Sequence, residues 1–171
     1  MQKRSKNHLK NRLKLATVKT AYRTILTFLM LLIFTAGLKS QSTYDIVIYG
    51  GTSAGVAAAI QSSRMGKSVV LIEPTQRIGG LTTGGLGATD IGNKQAIGGI
   101  SREFYQNIRK YYDNPFNWKW QKHEEYIERR NTGNEDAMWT FEPTAALKVY
   151  QNMIDAENIK LVYGERLNRK N

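Results

Sequence analysis

Glycines and one carboxylate within residues 44–80 have the types and spacing of a nucleotide-binding turn. The stretch begins YDIVIYGGTSAG, so an apolar run stops at Gly50 and Gly51, and Gly55 follows shortly after. Glycine allows a sharp turn from strand to helix and close packing of the two, and the start of the helix offers unpaired N–H groups to a pyrophosphate. The spacing therefore predicts a dinucleotide cradle whose helix N-terminus lies around Thr52–Gly55.

Glu73 and Thr52 refine this prediction in opposite directions. Glu73 ends a second apolar run, where a carboxylate can accept hydrogen bonds from ribose hydroxyls, and its charge disfavours NADP because it repels a 2′-phosphate. Thr52 stands where glycine usually lets the backbone approach the phosphates. Its side chain adds bulk, but its hydroxyl can donate to a phosphate oxygen, so the departure weakens a generic match without removing it.

The apolar pattern predicts the elements that hold this turn. Residues 44–49 and 69–73 (VVLIE) have the pattern of strands buried on both faces of a parallel sheet. Between them, the alanine-rich stretch Ser53–Met65 predicts a helix that stops before Gly66. Strand, helix and strand within about 30 residues fit a right-handed crossover. The chain is therefore predicted to be an α/β protein.

Downstream, the pattern predicts two more helices, a polar excursion and a third strand. Ile100, Phe104 and Ile108 recur every fourth residue, and Pro143 is placed to begin a helix. The polar, aromatic stretch between these helices has weak periodicity and is predicted to leave the core. The predicted bounds are about 100–112 and 143–157 for the helices, 113–140 for the excursion, which is partly helical around 121–130, and 159–163 for the strand.

The net charge of +11 does not indicate a nucleic-acid partner, because of where it lies. Residues 1–40 hold nine of the 25 Lys and Arg and no acidic residue, whereas the rest has 16 basic and 14 acidic residues and a charge of +2. No basic stripe remains to contact a phosphate backbone.

Residues 1–40 have the layout of an export signal. A basic stretch to Arg23 precedes the uncharged Thr24–Leu38, and small residues follow, with cleavage expected after Gly37 or Ser40. The uncharged run has 15 residues, fewer than the ~20 that span a bilayer, which favours a cleaved signal over an N-terminal anchor. We therefore expect an exported protein, periplasmic, cell-surface or secreted, with membrane contact only through this segment if it stays uncleaved.

The absence of cysteine excludes disulfides, thiolate zinc sites and cysteine-bound iron–sulfur clusters, and two histidines exclude a multi-histidine metal site. No metal site is predicted. Redox chemistry in this chain would need an organic cofactor.

Four segments carry a resemblance to a known family. EPTQRIGG (73–80) resembles the extended fingerprint of the glutathione-reductase-like flavoproteins. Together with YGGTSAG (49–55), the segments GGLTTGGLGATD (79–90) and FEPTAALKVYQNMI (141–154) resemble the N-terminal part of the FAD-dependent oxidoreductase family. Its members are often exported by bacteria, and it is distantly similar to the flavin subunit of heterodisulfide reductases. In that family threonine is a common variant at the position of Thr52.

The resemblance implies a Rossmann-like FAD/NAD(P)-binding domain with FAD as cofactor. It places Glu73 at the adenosine ribose, Val162 near the adenine, and residues 81–85 on the way to the flavin ring. The residues implied to contact or flank the pyrophosphate are Gly50, Gly51, Thr52, Ser53, Ala54 and Gly55, and those implied to line the cofactor are Arg77, Gly79 and Gly80.

Complete members of the family are longer and return to the cofactor domain near their C-terminus. Residues 41–171 are therefore expected to be the N-terminal, incomplete part of an FAD-binding domain, inactive alone. The whole enzyme would pass a hydride between a small-molecule substrate and the flavin. No catalytic residue can be assigned, and the sequence specifies neither the substrate nor the oligomeric state.

Two other functions are compatible with the residues. One is an NAD-binding Rossmann dehydrogenase domain, which has no need of the glycine pair after Glu73. The other is a non-catalytic exported remnant that binds no cofactor, since a partial sheet leaves apolar surface and an open edge.

Overall fold

The computed structural model describes residues 19–30, 42–89, 92–130 and 135–168, in two units that comprise Met1–Thr43 and Tyr44–Asn171. In the first unit, residues 19–30 form helix α1, and its larger apolar side chains are exposed. None of the helices in the described ranges has the length and apolar character needed to cross a membrane. Most of the predicted export segment, including both expected cleavage positions, lies outside the described residues.

The second unit alternates strands and helices, as the sequence predicts. The elements are β1 (Ile46–Tyr49), α2 (Ser53–Arg64), β2 (Val69–Glu73), α3 (Gly80–Gly84), α4 (Gly99–Tyr112), α5 (His123–Arg130), α6 (Pro143–Ala156) and β3 (Lys160–Tyr163). All three predicted strands and the four predicted helices are present, with bounds that differ by a few residues. The short α3, which lies in the glycine-rich GGLTTGGLGATD stretch, was not predicted.

The three strands form one parallel sheet in the order β1-β2-β3. Ile46 lies beside Val69, and Ile72 lies between Tyr49 on one side and Val162 on the other. This arrangement, with helices in both connections, is the Rossmann-like α/β fold that the sequence predicts.

The core lies between this sheet and helices α2, α4 and α6. Side chains from each element are fully buried, among them Ile60, Leu71, Ile108 and Ile154. The prediction that β1 is buried on both faces is wrong, because Val47 and Tyr49 are 60% and 43% exposed. Val47 and Tyr49 alternate along the strand and so share one face of the sheet, which the described part of the chain leaves uncovered. β1 is also an edge strand of this sheet.

The prediction that residues 113–140 leave the core is also wrong in part. Tyr126 of α5 and Met138 belong to the buried cluster, and Trp118 packs against it. The Trp118 indole N–H donates to the Tyr112 carbonyl at 2.7 Å, so the ring can pack with its polar atom satisfied. Aromatic side chains thus return this otherwise polar stretch to the core.

Candidate functional site

The turn after β1 has the backbone geometry that its glycines predict. Gly50 has φ of 105°, a conformation that favours glycine, and its N–H donates to the Ile72 carbonyl at 2.8 Å. Thr52 is extended and caps α2, since its Oγ1 accepts from the Gly55 amide at 3.2 Å. The chain therefore leaves the sheet at Gly50 and enters the helix at Ser53.

The start of α2 presents free donors. Among the described residues, the amides of Ser53 and Ala54 have no hydrogen-bond acceptor, and the first turn holds no acidic residue. Unpaired N–H groups and the positive end of the helix dipole together favour a bound anion. This end of the helix can therefore bind a phosphate group.

Packing requires glycine at two further positions of the turn. A Cβ on Gly55 would lie 2.0 Å from the Gly50 carbonyl oxygen, so the helix touches the end of the strand there. A Cβ on Gly51 would lie 2.8 Å from Ile78 Cγ2 and 3.0 Å from Glu73 Oε2. A side chain at Gly55 would push α2 away from the end of β1, and one at Gly51 would push the turn away from Glu73 and Ile78.

Glu73 is buried at the end of β2, and its carboxylate holds two backbone amides of this chain. Oε2 accepts from Gly51 at 2.7 Å, and Oε1 accepts from Thr75 at 2.8 Å. Burial opposes the charged form, but hydrogen bonds from Thr75 and Gly51 outweigh it and lower the pKa of Glu73. The contact of Glu73 with a ribose stays a prediction.

The second glycine pair packs directly on the first turn. The Gly79 amide donates to the Gly51 carbonyl at 2.5 Å, and Ser53 Oγ donates to the Gly79 carbonyl at 3.0 Å. A Cβ on Gly80 would lie 3.7 Å from Thr52 Cα, which shows how closely the two turns approach. The structure thus brings together the predicted residues from Gly50 to Gly55 with Glu73, Gly79 and Gly80.

Arg77 and Val162 lie apart from this cluster. The Arg77 guanidinium donates to the carbonyls of Thr83 at 2.8 Å and Pro143 at 3.3 Å, and so joins α3 to α6. Val162 is half-buried on β3, with β2 between it and β1. Their predicted roles toward a cofactor remain predictions.

Two threonines of α3 belong to the site although the sequence did not single them out. Thr82 Oγ1 lies 2.8 Å from Ser53 Oγ. Thr83 is fully buried, and its hydroxyl donates to the Ile78 carbonyl at 2.5 Å. The sequence signals were their position shortly after Gly79 and Gly80 and the resemblance, which implies that residues 81–85 lead toward the flavin ring.

A cavity of about 310 Å³ adjoins the start of α2. Hydroxyl groups line much of it, and one of them is the Tyr150 phenol. Burial raises the pKa of this phenol, and hydrogen bonds with Ser53 and Thr82 lower it by less. The phenol is therefore protonated at neutral pH and can act as a donor. The cavity is lined by Ser53, Ala54, Ala57, Thr82, Ile100, Ser101, Phe104, Tyr105 and Tyr150.

The described residues fit a dinucleotide cofactor better than a metal. Glycines that exclude any Cβ and the free amides of Ser53 and Ala54 form a cradle for a pyrophosphate. Within the same described ranges, no three His, Asp or Glu side chains come together as a metal site would need.

Comparisons with solved structures give weak similarities to larger proteins. The 3-ketosteroid-Δ4-(5α)-dehydrogenase from Rhodococcus jostii RHA1 has 17% identity and a TM-score of 0.38, over 77% of this chain and 40% of that one. THI4 from Thermovibrio ammonificans has 14% identity and a TM-score of 0.40, over 85% and 51%. OTEMO, solved with FAD and NADP, has 14% identity and a TM-score of 0.39, over 75% and 20%. The chain thus matches between a fifth and about half of the length of these structures.

A comparison with curated proteins gives no match. By contrast, the sequence profile described as FAD dependent oxidoreductase matches residues 45–170, nearly the whole second unit. This match confirms the predicted resemblance and the predicted cofactor, FAD. The chain belongs to the FAD dependent oxidoreductase family.

Proposed function

We propose that this chain is the FAD-binding N-terminal portion of an exported flavin-dependent oxidoreductase that acts on a small molecule. The observation that carries the proposal is the cradle at the start of α2, where the amides of Ser53 and Ala54 lack acceptors within the described residues. Bound FAD would supply the redox chemistry, while the protein binds and orients it.

In this proposal each part of the cradle has its own task. Backbone amides at the start of α2 would hold the pyrophosphate, with Gly50, Gly51 and Gly55 allowing the close approach. Glu73 would fix the turn through Gly51 and would also accept a hydrogen bond from the ribose. Thr82 lines the adjoining cavity together with Ser53, which favours that cavity as the continuation of the site toward the flavin end.

The open edge of the sheet supports the view that the enzyme has further chain around this domain. β1 has no neighbour on its outer side in the described residues, and Val47 and Tyr49 are exposed. An unpaired strand edge and an uncovered apolar face each favour association with another segment. We propose that the substrate site and the catalytic residues are completed by that further chain, so that this portion alone binds FAD without turnover.

Cofactor binding can be tested on the purified full chain. FAD titration, followed by flavin fluorescence and visible absorbance, should show saturable binding, whereas NAD should not bind. Binding of NAD without FAD would favour the alternative dehydrogenase domain, and binding of neither would favour a non-catalytic remnant.

A matched pair of α2 variants tests the location of the site. Ala54→Glu places a carboxylate in the first turn, where it interacts favourably with the helix dipole but repels a pyrophosphate. Ala58→Glu is the control, because it places the same charge further along α2 at another exposed position. We expect Ala54→Glu to weaken FAD binding at least about tenfold, which is about 1.4 kcal/mol, and Ala58→Glu to leave it unchanged. Equal affinities in the two variants would contradict the proposed site.

Export is supported by the charge pattern of residues 1–40. Cells that express the full chain can be fractionated and the N-terminus of the mature protein sequenced. We expect the protein outside the cytoplasm, beginning after Gly37 or Ser40. An intact N-terminus on cytoplasmic protein would contradict export.

A further inference from the structure

A second cavity, which we call the aromatic pocket, lies where residues 118–126 pack against α4 and the start of α6. Its volume is about 240 Å³, and it takes no part in the cradle at α2. Its apolar walls contrast with the polar sequence that supplies them. The pocket is lined by Tyr112, Trp118, Lys119, Trp120, Gln121, Tyr126, Met138, Thr140, Phe141 and Glu142.

The aromatic rings of this pocket form adjoining walls. Trp118 lies at a ring-centroid distance of 4.8 Å from Tyr112 with a tilt of 47°, and at 5.5 Å from Tyr126 with a tilt of 58°. Rings tilted in this way do not cover each other as a parallel stack would. Trp120 is 87% exposed, so it stands at the mouth of the pocket.

Hydrogen bonds to the main chain fix two of these rings. The Trp118 indole N–H donates to the Tyr112 carbonyl at 2.7 Å, and the Tyr126 hydroxyl donates to the Thr140 carbonyl at 3.3 Å. The polar atoms of the rings are thus engaged with the backbone. Five of the ten lining residues are aromatic, and aromatic rings carry partial negative charge on their faces.

Glu142 is the carboxylate that lines this pocket. Its side chain does not cap α6; instead, Oε2 accepts a hydrogen bond from the Tyr112 hydroxyl at 3.2 Å. Burial raises the pKa of Tyr112, so that phenol stays protonated and is a donor. Lys119 brings a positive charge to the same pocket, but its side chain is exposed to solvent.

We propose that the aromatic pocket binds a small organic ammonium ion. Electron-rich ring faces attract a cation, most strongly where water is excluded, and the half-buried Glu142 supplies a counter-charge. A neutral apolar ligand would make no use of that carboxylate, and an anion would be repelled by it. This site does not depend on FAD binding, so the two proposals can fail separately.

Choline and 3,3-dimethylbutan-1-ol have nearly the same shape, but only choline is charged. Comparing their binding therefore shows whether the pocket recognises the charge. Trp118 and Trp120 line the pocket, so tryptophan fluorescence of the full chain reports on its occupancy, with sodium chloride at equal ionic strength as the blank. We expect saturable quenching by choline and binding of the alcohol that is at least about tenfold weaker. Equal binding of the two compounds, or no saturable signal with choline, would overturn the proposal.

Three variants assign the response to named residues. Glu142→Gln keeps the shape and an acceptor for Tyr112 but removes the charge, and should weaken choline binding at least about tenfold. Glu165→Gln removes an exposed carboxylate outside the pocket and should change nothing. Trp120→Ala alters only an exposed ring at the mouth, so it should fold normally and weaken binding. Equal choline affinities for Glu142→Gln and Glu165→Gln would overturn the assignment even if the protein binds choline.

Discussion

The Gly51 amide donates a hydrogen bond of 2.7 Å to Oε2 of the buried Glu73, which links the turn after β1 to the end of β2. The other oxygen of the carboxylate accepts from the Thr75 amide at 2.8 Å. The same side chain therefore fixes the turn that starts α2 and the turn that follows β2. Glu73, which the sequence predicts to contact a ribose, therefore also holds the backbone of the site in place.

Glu73→Gln should destabilise the fold. A glutamine has one carbonyl oxygen for two N–H donors, so its NH2 group must face a donor in a buried position. The expected loss is about 1–3 kcal/mol in the free energy of unfolding, measured by urea denaturation. Glu165→Gln, at an exposed position, is the control and should change stability by less than about 0.5 kcal/mol. A Glu73→Gln protein as stable as the wild type would contradict the structural role.

Acid should destabilise the protein partly through the same carboxylate. The pKa of Glu73 is lowered in the folded protein from its ordinary value of 4.5, since hydrogen bonds to the charged form outweigh burial. Its contribution is therefore fully present above pH 4.5 and is lost as the pH falls through the lower folded pKa. Hydrogen bonding to Arg64 also lowers the pKa of Glu103, in spite of some burial, and adds to the same trend.

Unfolding by urea at a series of pH values from about 6 to 3 tests this expectation. The free energy of unfolding should fall toward acid pH, and the fall should be smaller in Glu73→Gln because that variant no longer titrates at residue 73. Equal slopes for the two proteins would assign the acid sensitivity to other carboxylates.

Much of the fold could be predicted because local sequence signals agree with it. Residues 69–72 are apolar and three of the four are β-branched, the helix before them stops at a glycine, and Ile100, Phe104 and Ile108 mark one helix face. The cradle could be predicted for the same reason, because few other turns require glycines at the spacing found from Gly50 to Gly55.

The errors concern long-range packing. Single-sequence periodicity cannot show that one face of β1 stays uncovered, because which elements pack on a sheet is set by topology. The bond between Gly79 and Gly51 joins residues 28 apart, which no local pattern encodes. Residues 113–140 are polar on average, so only the individual rings of Trp118 and Tyr126 could have indicated contact with the core.

Gly55 and Gly84 form a matched pair for the packing of the cradle. A Cβ on Gly55 would lie 2.0 Å from the Gly50 carbonyl oxygen, whereas a Cβ on Gly84 would meet nothing within 4 Å. Gly55→Ala should therefore cost about 1–3 kcal/mol or more and displace the start of α2, with loss of FAD affinity. Gly84→Ala should be neutral or stabilise by up to about 1 kcal/mol through the unfolded state. Urea denaturation and FAD titration check both, and similar effects in the two variants would contradict close packing at Gly55.

Thr52 offers the last test, because the usual glycine at its position can be restored. Its Oγ1 accepts from the Gly55 amide at 3.2 Å and caps α2, so threonine contributes to the helix start that would hold the pyrophosphate. Thr52→Ala should cost about 1 kcal/mol of stability, and Thr52→Gly only a few tenths by the same measure, since glycine is an acceptable cap residue. Both variants keep the free amides of Ser53 and Ala54, so we expect FAD affinity to change by less than about threefold, that is, by less than about 0.7 kcal/mol. A large loss of FAD affinity in Thr52→Gly with unchanged stability would instead assign the hydroxyl a direct contact with the cofactor.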